Sequence, residues 1–194
     1  MQKFFSKMKY LITGLGNIGA DYAHTRHNIG FRMLDRLAEV EDIVFEDKRY
    51  GNVAYYKYKG RIFVLLKPST YMNLSGRAVN YWLNKEKIEP DKLLVLVDDI
   101  ALPFGTLRLK GKGGSGGHNG LQNIIDVLGT RQYARLRFGI GNEYSQGEQY
   151  GFVLGKWTEE EENKLPERLA ITSEIIRSFG TIGLELTMTF FNNK

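Results

Sequence analysis

The chain has 194 residues, of which 42% are hydrophobic and 25% are charged, and it contains no cysteine. This length and composition predict one globular domain, because a chain of ~100 to 200 residues forms a single core. The lack of cysteine excludes a disulfide framework, thiolate catalysis, cysteine-based zinc sites and iron–sulfur clusters. No run approaches the ~18 apolar residues of a membrane span, and the first apolar run is too short for a signal peptide. The cytoplasm is therefore the expected location.

The formal net charge is +5, and the basic excess lies in one segment. Between Gly105 and Gly141 there are six basic residues and one acid, Asp126, so this segment accounts for the whole surplus. The basic residues are Arg108, Lys110, Lys112, Arg131, Arg135 and Arg137. A localised excess of this kind is typical of a surface that binds nucleic acid.

Hydrophobic periodicity predicts strands that alternate with helices along the chain. The predicted strands are 9–15, 52–58, 61–67, 92–98, 106–112 and 134–141. The predicted helices are 29–40, 75–85, 119–128 and one from Pro166 towards Phe179. Asn28 is the predicted N-cap of the first helix. Thr158 and Glu161 form a predicted capping box, and Pro166 is predicted to lie in the first turn of the last helix. This alternation indicates a single α/β domain over residues 1–194, with a mixed, mostly parallel sheet and helices on both faces.

Gly14, Gly16 and Gly19 form a G-x-G-x-x-G pattern directly after the first strand. A dinucleotide site needs a helix that begins inside this motif and an acid about 20 residues further on, at the end of the next strand. Here the helix is expected only from residue 29, and Asp35 lies within it. The pattern therefore favours a glycine turn that brings Asn17 to the end of the first strand, with dinucleotide binding as the alternative.

Polar side chains follow two of the predicted strands. Asp98 and Asp99 end an apolar strand, and Asn17 follows the first strand. Ligands of open α/β sheets bind beyond the carboxyl ends of strands, although aspartates at such positions also commonly cap neighbouring turns. A metal site built from the three histidines His24, His27 and His118 is a further alternative. It lacks a second carboxylate or a thiol at a suitable spacing, so no metal is predicted.

Several polar residues lie in or next to loops near apolar elements, namely Asn17, Tyr22, His27, Asn73, Asp98, His118 and Asn119. A histidine paired with an aspartate, without a serine nucleophile elbow or a cysteine, points to general-base activation of water. Neutral amides around that pair can hold carbonyl groups and an oxyanion without adding charge. The combination predicts hydrolysis of an ester or an amide.

The glycine-rich loop Gly113–Gly117 lies between two predicted strands whose basic residues alternate with apolar ones. The glycines indicate either simple flexibility or a backbone that closely approaches a phosphate chain. If the two strands are neighbours, their cations form a ridge suited to a phosphodiester backbone. A merely solvated face is the alternative.

Together these residues resemble bacterial peptidyl-tRNA hydrolase, and the resemblance extends over nearly the whole chain. The segments that carry it, in chain order, are Gly14–Asn17, Tyr22, Thr25–Gly30, Lys67–Gly76, Val97–Ile100, Leu102, Pro103, Gly105, Gly113–Leu121 and Arg135–Arg137. The resemblance implies one mixed-sheet α/β domain that acts as a monomer, without a metal or an organic cofactor. It implies that water cleaves the ester between a peptide and the 3′ ribose of tRNA.

The resemblance also implies roles for individual residues. His27 is the general base, and Asp98 fixes its tautomer and strengthens its basicity. Asn17, Asn73 and Asn119 bind the peptide and position the carbonyl and the water, while Tyr22 and Met72 line the cleft. The tRNA phosphates bind to Lys110 and Arg135, with Arg108 as a helper, and the charge surplus adds Lys112 to this set.

Two positions depart from the family's pattern. Ile18 stands where the first loop usually has proline, and Ala101 replaces a common acid. Neither is among the residues assigned to chemistry, so they bear on loop rigidity more than on activity. Residues 1–7 precede the usual start, which makes Met8 a candidate initiator. The alternative function is an RNA-binding module of the same fold without hydrolytic activity, but such a module has no need of the His27–Asp98 pair.

Overall fold

The computed structural model describes residues 8–192. The expectation that residues 1–7 form an extension falls outside that range. The described residues form one seven-stranded sheet with the strand order β2-β3-β4-β1-β5-β7-β6. The strands are β1 (Lys9–Gly14), β2 (Glu46–Lys48), β3 (Gly51–Tyr58), β4 (Arg61–Pro68), β5 (Leu93–Asp99), β6 (Leu107–Lys110) and β7 (Ala134–Gly139).

The sheet is mixed, as the sequence predicts. The four central strands β4, β1, β5 and β7 are parallel, and β2, β3 and β6 complete the two edges as antiparallel strands. The β3–β4 hairpin occurs where the two apolar runs around Lys59 and Gly60 predict it. The central strands are buried on both faces, which explains why β5 has an uninterrupted apolar sequence.

Helices cover both faces of the sheet, so the predicted fold class is confirmed. The helices are α1 (Ile29–Val40), α2 (Ser75–Glu86), α3 (Asn119–Leu128), α4 (Gln149–Val153), α5 (Glu159–Thr181) and α6 (Leu184–Phe191). One core lies between the sheet and helices α1 and α5, where Leu34, Phe63 and Ile176 are buried. The second core lies under α2 and α3, where Val64, Trp82 and Ile124 are buried.

The helices that follow β1 and β4 lie on opposite faces of the sheet, so the chain changes direction next to β1. Such a switch point opens a crevice beyond the carboxyl ends of the strands. Two glycines of the first motif, Gly14 and Gly16, permit close packing at this point. A Cβ atom on Gly14 would lie 2.2 Å from the carbonyl oxygen of Gly30, so α1 approaches β1 more closely than any larger pair of residues allows. The helix begins only at Ile29, which removes the geometry that a dinucleotide needs.

Two local predictions are wrong. Helix α5 does not begin at Pro166; it begins at Glu159, after the predicted Thr158–Glu161 capping box, and contains Pro166 in its interior. The Asn28 side chain does not cap α1 and bonds elsewhere. The sequence patterns also missed the short β2, α4 and α6, which contain few buried side chains and therefore have little periodicity.

Candidate active site

Asp98 lies at the carboxyl end of β5 and joins two histidines from different segments. Its Oδ1 lies 2.9 Å from Nδ1 of His27 and 3.0 Å from Nε2 of His118. His27 belongs to a short 3₁₀ helix after β1, and His118 immediately precedes α3. The Asp98 side chain is 4% exposed, whereas the His27 side chain is 13% exposed, so part of the His27 ring is accessible to solvent.

The hydrogen bonds assign the proton positions on both rings. Nδ1 of His118 accepts from the backbone N–H groups of Gly120 and Leu121, at 3.1 and 3.3 Å, so the proton of this ring is on Nε2. That proton is donated to Asp98. Because an ionised carboxylate only accepts, His27 also donates from Nδ1 and keeps the lone pair of Nε2 for another partner.

The charge of Asp98 is stabilised by its two neighbours. Burial raises the pKa of the Asp98 carboxyl, but attraction to His118 and His27 and the hydrogen bonds from both rings outweigh burial and hold the pKa well below its usual value. Asp98 is therefore a carboxylate at neutral pH. A carboxylate against Nδ1 of His27 favours proton uptake at Nε2 of the same ring.

Asn17 lies three residues after the end of β1, and its backbone and side chain are both hydrogen-bonded. Its backbone N–H donates to Oδ1 of Asn28, and its carbonyl oxygen accepts from Nδ2 of Asn28, both at 2.9 Å. The side-chain oxygen of Asn17 accepts from the backbone N–H of Met72 at 2.8 Å. This bond settles the orientation of the Asn17 amide and leaves its NH₂ group as a donor.

Helices α1, α2 and α3 each begin within a few residues of a site residue, namely His27, Asn73 and His118. Their N-terminal ends therefore face the crevice, and the helix dipoles favour negative charge that develops there. Asn73 and Asn119 are exposed at two of these ends. Met72 is buried, and a Cβ atom on Gly120 would lie 2.7 Å from its sulfur, so Gly120 permits α3 to pack against the Met72 turn.

The predicted tRNA cations occupy neighbouring strands. Arg108 lies opposite Arg137, and Lys110 lies opposite Arg135, in the antiparallel pairing of β6 with β7. Of these four cations, Arg137 forms an ion pair with Asp99 and Arg135 donates to backbone carbonyl oxygens. Lys110 and Lys112 are exposed, and Arg108 is half-buried.

Comparisons with known proteins agree with this geometry. The family model described as peptidyl-tRNA hydrolase matches residues 11–194. The peptidyl-tRNA hydrolase of Phocaeicola vulgatus is 58% identical over 187 residues, which cover 96% of this chain and 100% of that protein. The one from Porphyromonas gingivalis is 57% identical over 185 residues, which cover 95% and 100%. The chain belongs to the peptidyl-tRNA hydrolase family.

A solved member of the peptidyl-tRNA hydrolase family has the same fold. The crystal structure of peptidyl-tRNA hydrolase from Acinetobacter baumannii superposes with a TM-score of 0.89 at 34% identity, covering 96% of this chain and 97% of that one. The resemblance that the motifs indicate is thus confirmed. Among residues 8–192, no helix is long and apolar enough to cross a membrane.

Arg135 departs from the role that the family resemblance implies. It is 2% exposed, and its guanidinium donates to four backbone carbonyl oxygens, those of Gly113, Gly114, Arg131 and Tyr133, at 2.7–3.3 Å. A guanidinium committed to these carbonyls has little capacity for a phosphate. Its position under the glycine-rich loop indicates that it holds the segment that leads to His118.

Three residues to which the sequence analysis assigns no role in the site lie close to it. They are His118, Asn28 and Arg137, and Arg137 forms an ion pair of 2.6 Å with Asp99 on the basic ridge. His118 and Arg137 were visible in the sequence as polar or basic residues, whereas the contact of Asn28 with Asn17 depends on the close packing of α1. Tyr22 lies half-exposed on a 3₁₀ helix, and no side-chain hydrogen bond links it to the other described site residues.

His27, Asp98 and His118 place three ligand atoms within 4.8 Å of one another, which is close enough for a metal ion. A metal needs a lone pair on each imidazole nitrogen that faces it. Nε2 of His118 carries a proton because Nδ1 of this ring accepts two backbone N–H groups. The arrangement therefore fits a hydrogen-bonded histidine–aspartate–histidine chain better than a metal site.

Proposed function

We propose that this protein hydrolyses the ester between an N-acylated aminoacyl group or peptide and tRNA, releasing free tRNA for reuse in translation. The observation that carries the proposal is the 2.9 Å contact between Nδ1 of His27 and the buried carboxylate of Asp98. This contact leaves Nε2 of His27 as a base that faces an open crevice. A positioned base of this kind contributes ~10² to 10⁴ in rate.

The reaction needs no covalent intermediate. Nε2 of His27 takes a proton from water as the water oxygen attacks the ester carbonyl carbon, and the imidazolium that forms is stabilised by the Asp98 carboxylate. The carbonyl oxygen becomes an oxyanion. We expect the Asn17 amide NH₂ to donate to that oxyanion, and the dipoles of α1, α2 and α3 to favour its negative charge.

Collapse of the tetrahedral intermediate breaks the bond to the 3′ oxygen of the ribose. The proton on Nε2 of His27 passes to that oxygen, so the products are a carboxylic acid and tRNA with a free hydroxyl, and the histidine returns to its neutral form. No group other than water and the ester is consumed.

The acylated nitrogen distinguishes this substrate from ordinary aminoacyl-tRNA. A peptide bond presents a carbonyl acceptor and a neutral N–H, whereas a free aminoacyl group can present an ammonium without an acceptor. Asn73 and Asn119 are exposed at two helix ends beside the base, where an amide NH₂ can donate to that carbonyl. Met72 and Tyr22 are proposed to line the same cleft.

The nucleic acid is proposed to bind the basic ridge formed by Arg108, Lys110, Arg137 and Lys112. These residues lie on the β6–β7 side of the crevice and continue into the loop that ends at His118. Arg135 supports this surface from below. We propose that the protein works as a monomer in the cytoplasm, without a metal or an organic cofactor.

A test is the release of a radiolabelled N-acetyl-aminoacyl group from tRNA by the purified protein. We expect turnover with the blocked substrate, little with the unblocked one, and loss of turnover in His27→Ala while tRNA binding persists. Binding without turnover in the wild-type protein would favour the RNA-binding alternative.

A further inference from the structure

Among the described residues, some surface cations form ion pairs and others do not. Arginines on the α1 and α5 side pair with glutamates, and these pairs are Arg26–Glu161, Arg32–Glu162 and Arg177–Glu41. On the α2 side, Arg49, Arg77 and Lys85 form no ion pair with the residues of the described chain. Unpaired cations gathered in one place favour an anionic ligand.

These three cations line one open groove of about 820 Å³, which separates α2 from the turn between β2 and β3. Arg77 and Lys85 lie on the helix, and Arg49 lies on the turn. The neighbouring acids Glu86 and Asp126 are not part of the lining, and their carboxylates contact Lys9 at 2.7 Å and Gln122 at 2.8 Å. The groove is therefore positively charged along its length.

The helix side of the groove is one continuous stripe. Arg77, Asn80, Tyr81, Asn84 and Lys85 follow the spacing i, i+3, i+4, i+7, i+8, which places them on a single face of α2. Apolar residues normally occupy such a stripe because it faces a core, and here a second stripe with Val79 and Trp82 does so. The outward stripe combines charge, amides and an aromatic ring.

Two tyrosines form an aromatic surface in the groove. The rings of Tyr50 and Tyr81 meet edge to face at a centroid distance of 5.3 Å, and the Arg49 guanidinium lies 5.3 and 5.2 Å from the two ring centres. Tyr50 has a φ of +66°, which a bulky residue adopts at a cost in energy. Such a conformation persists only where the surroundings hold it.

The surroundings hold the turn on both sides. The indole Nε1 of the buried Trp82 donates to the carbonyl oxygen of Arg49 at 2.9 Å, and the N–H of Ser69 donates to the carbonyl oxygen of Tyr50 at 2.9 Å. The backbone of the turn that carries Arg49 and Tyr50 is thus held in one position.

We propose that this groove binds a short single-stranded segment of RNA. Proteins that bind single strands combine a cationic groove, which follows the phosphates, with aromatic rings on which bases stack. Arg49, Arg77 and Lys85 supply the cations, and Tyr81 with Tyr50 supplies the rings. The site lies on α2, which follows β4, whereas the ridge lies on β6 and β7, so the two surfaces are formed by different elements. The segment belongs either to the tRNA of a bound substrate or to a separate RNA.

The test is binding of a short fluorescent oligouridylate to the full chain, measured by anisotropy over a series of KCl concentrations. We expect Arg77→Ala to weaken binding and to lower the salt slope by about one unit. Tyr81→Leu should weaken binding roughly 5- to 150-fold with little effect on the slope, since it removes stacking but keeps an apolar side chain. Arg36→Ala, which removes an arginine from the opposite face, is the matched control.

The outcomes separate the proposal from its rivals. The proposal would be overturned if Arg77→Ala and Tyr81→Leu bound the oligouridylate with affinities within twofold of that of Arg36→Ala. It would also be overturned if an acidic peptide bound in the groove and the oligouridylate did not. If the segment is part of the substrate, Arg77→Ala also raises KM for N-acetyl-aminoacyl-tRNA, whereas a separate RNA leaves KM unchanged. The binding assay contains no ester, so its result does not depend on the proposed hydrolysis.

Discussion

Asn28 holds the backbone of Asn17 with both ends of its amide. Its Oδ1 accepts from the Asn17 N–H and its Nδ2 donates to the Asn17 carbonyl oxygen, which reproduces the pairing that a neighbouring strand would provide. Asn28 is 1% exposed, so no water replaces these bonds. The consequence is that the first loop, which has no strand partner at this point, still presents the Asn17 side chain in one orientation.

We expect Asn28→Ala to lower kcat by up to about 100-fold, because a displaced Asn17 no longer meets the reacting carbonyl. KM for the tRNA substrate should hardly change, since Asn28 does not face the basic ridge. The free energy of unfolding should fall by about 1–3 kcal/mol, because two backbone groups lose their partners. Steady-state kinetics and urea unfolding measure both effects.

Asn52→Ala, on an exposed position of β3, is the control for the loss of an asparagine side chain. Asn28→Asp keeps the acceptor and loses the donor, so it should recover part of the lost kcat. A variant Asn28→Ala with normal kcat and reduced stability would show that the contact is structural only.

His27→Ala should lose turnover by about 10² to 10⁴ while its affinity for tRNA remains close to that of the wild-type protein. The matched control is His24→Ala, since His24 is exposed and lies three positions earlier in the same loop. Single-turnover hydrolysis of N-acetyl-aminoacyl-tRNA and filter binding of tRNA give the two readouts. Equal turnover in the two variants would remove His27 from the mechanism.

The sequence predicts those parts of the site that depend on the ends of secondary structure. Asp98 and Asn17 follow apolar strands, and parallel strands bring their carboxyl ends to one edge, so their proximity follows from the pattern. The role of Asn28 does not, because an asparagine before a helix is typical of an N-cap, whereas here its side chain bonds to the backbone of Asn17.

Asp98 should make the stability of the protein depend on pH in a defined direction. Because the pKa of the folded Asp98 carboxyl lies well below its usual value, the ionised group stabilises the folded state above the unfolded pKa, and this contribution is lost as the pH falls through the folded pKa. We therefore expect the wild-type protein to lose stability relative to Asp98→Asn as the pH falls below about 4. Urea unfolding of both proteins between pH 5 and pH 3 measures the difference. A constant difference over that range would contradict the prediction.

Alternation of basic and apolar residues predicts that β6 and β7 are half-exposed strands, but it shows neither that they are neighbours nor which cations reach solvent. Arg108, Lys110, Arg135 and Arg137 have the same two-residue spacing on their strands. Arg135 alone is covered, because the glycine-rich loop crosses over it and offers its carbonyl oxygens. The loop can cross there because its glycines have no side chains. The two-residue spacing of charges along a strand does not predict the course of the loop.

Lys110 and Arg135 should therefore respond differently to substitution, although they face each other across the sheet. Lys110→Met removes a cation from the exposed ridge, so tRNA affinity should fall and the salt slope should decrease by about one unit, with kcat at saturating substrate nearly unchanged. Arg135→Met removes the bonds to the loop before His118, so kcat should fall, while the salt slope remains that of the wild-type protein. Its free energy of unfolding should fall by about 1–3 kcal/mol. Arg135→Lys keeps the charge but cannot donate to four carbonyl oxygens, so it should resemble Arg135→Met.

Filter binding over a range of KCl concentrations, together with kcat and KM for variants at both positions, decides between the two roles. A salt slope that decreases equally in Lys110→Met and Arg135→Met would show that Arg135 contacts phosphate directly and that the loop opens to admit it.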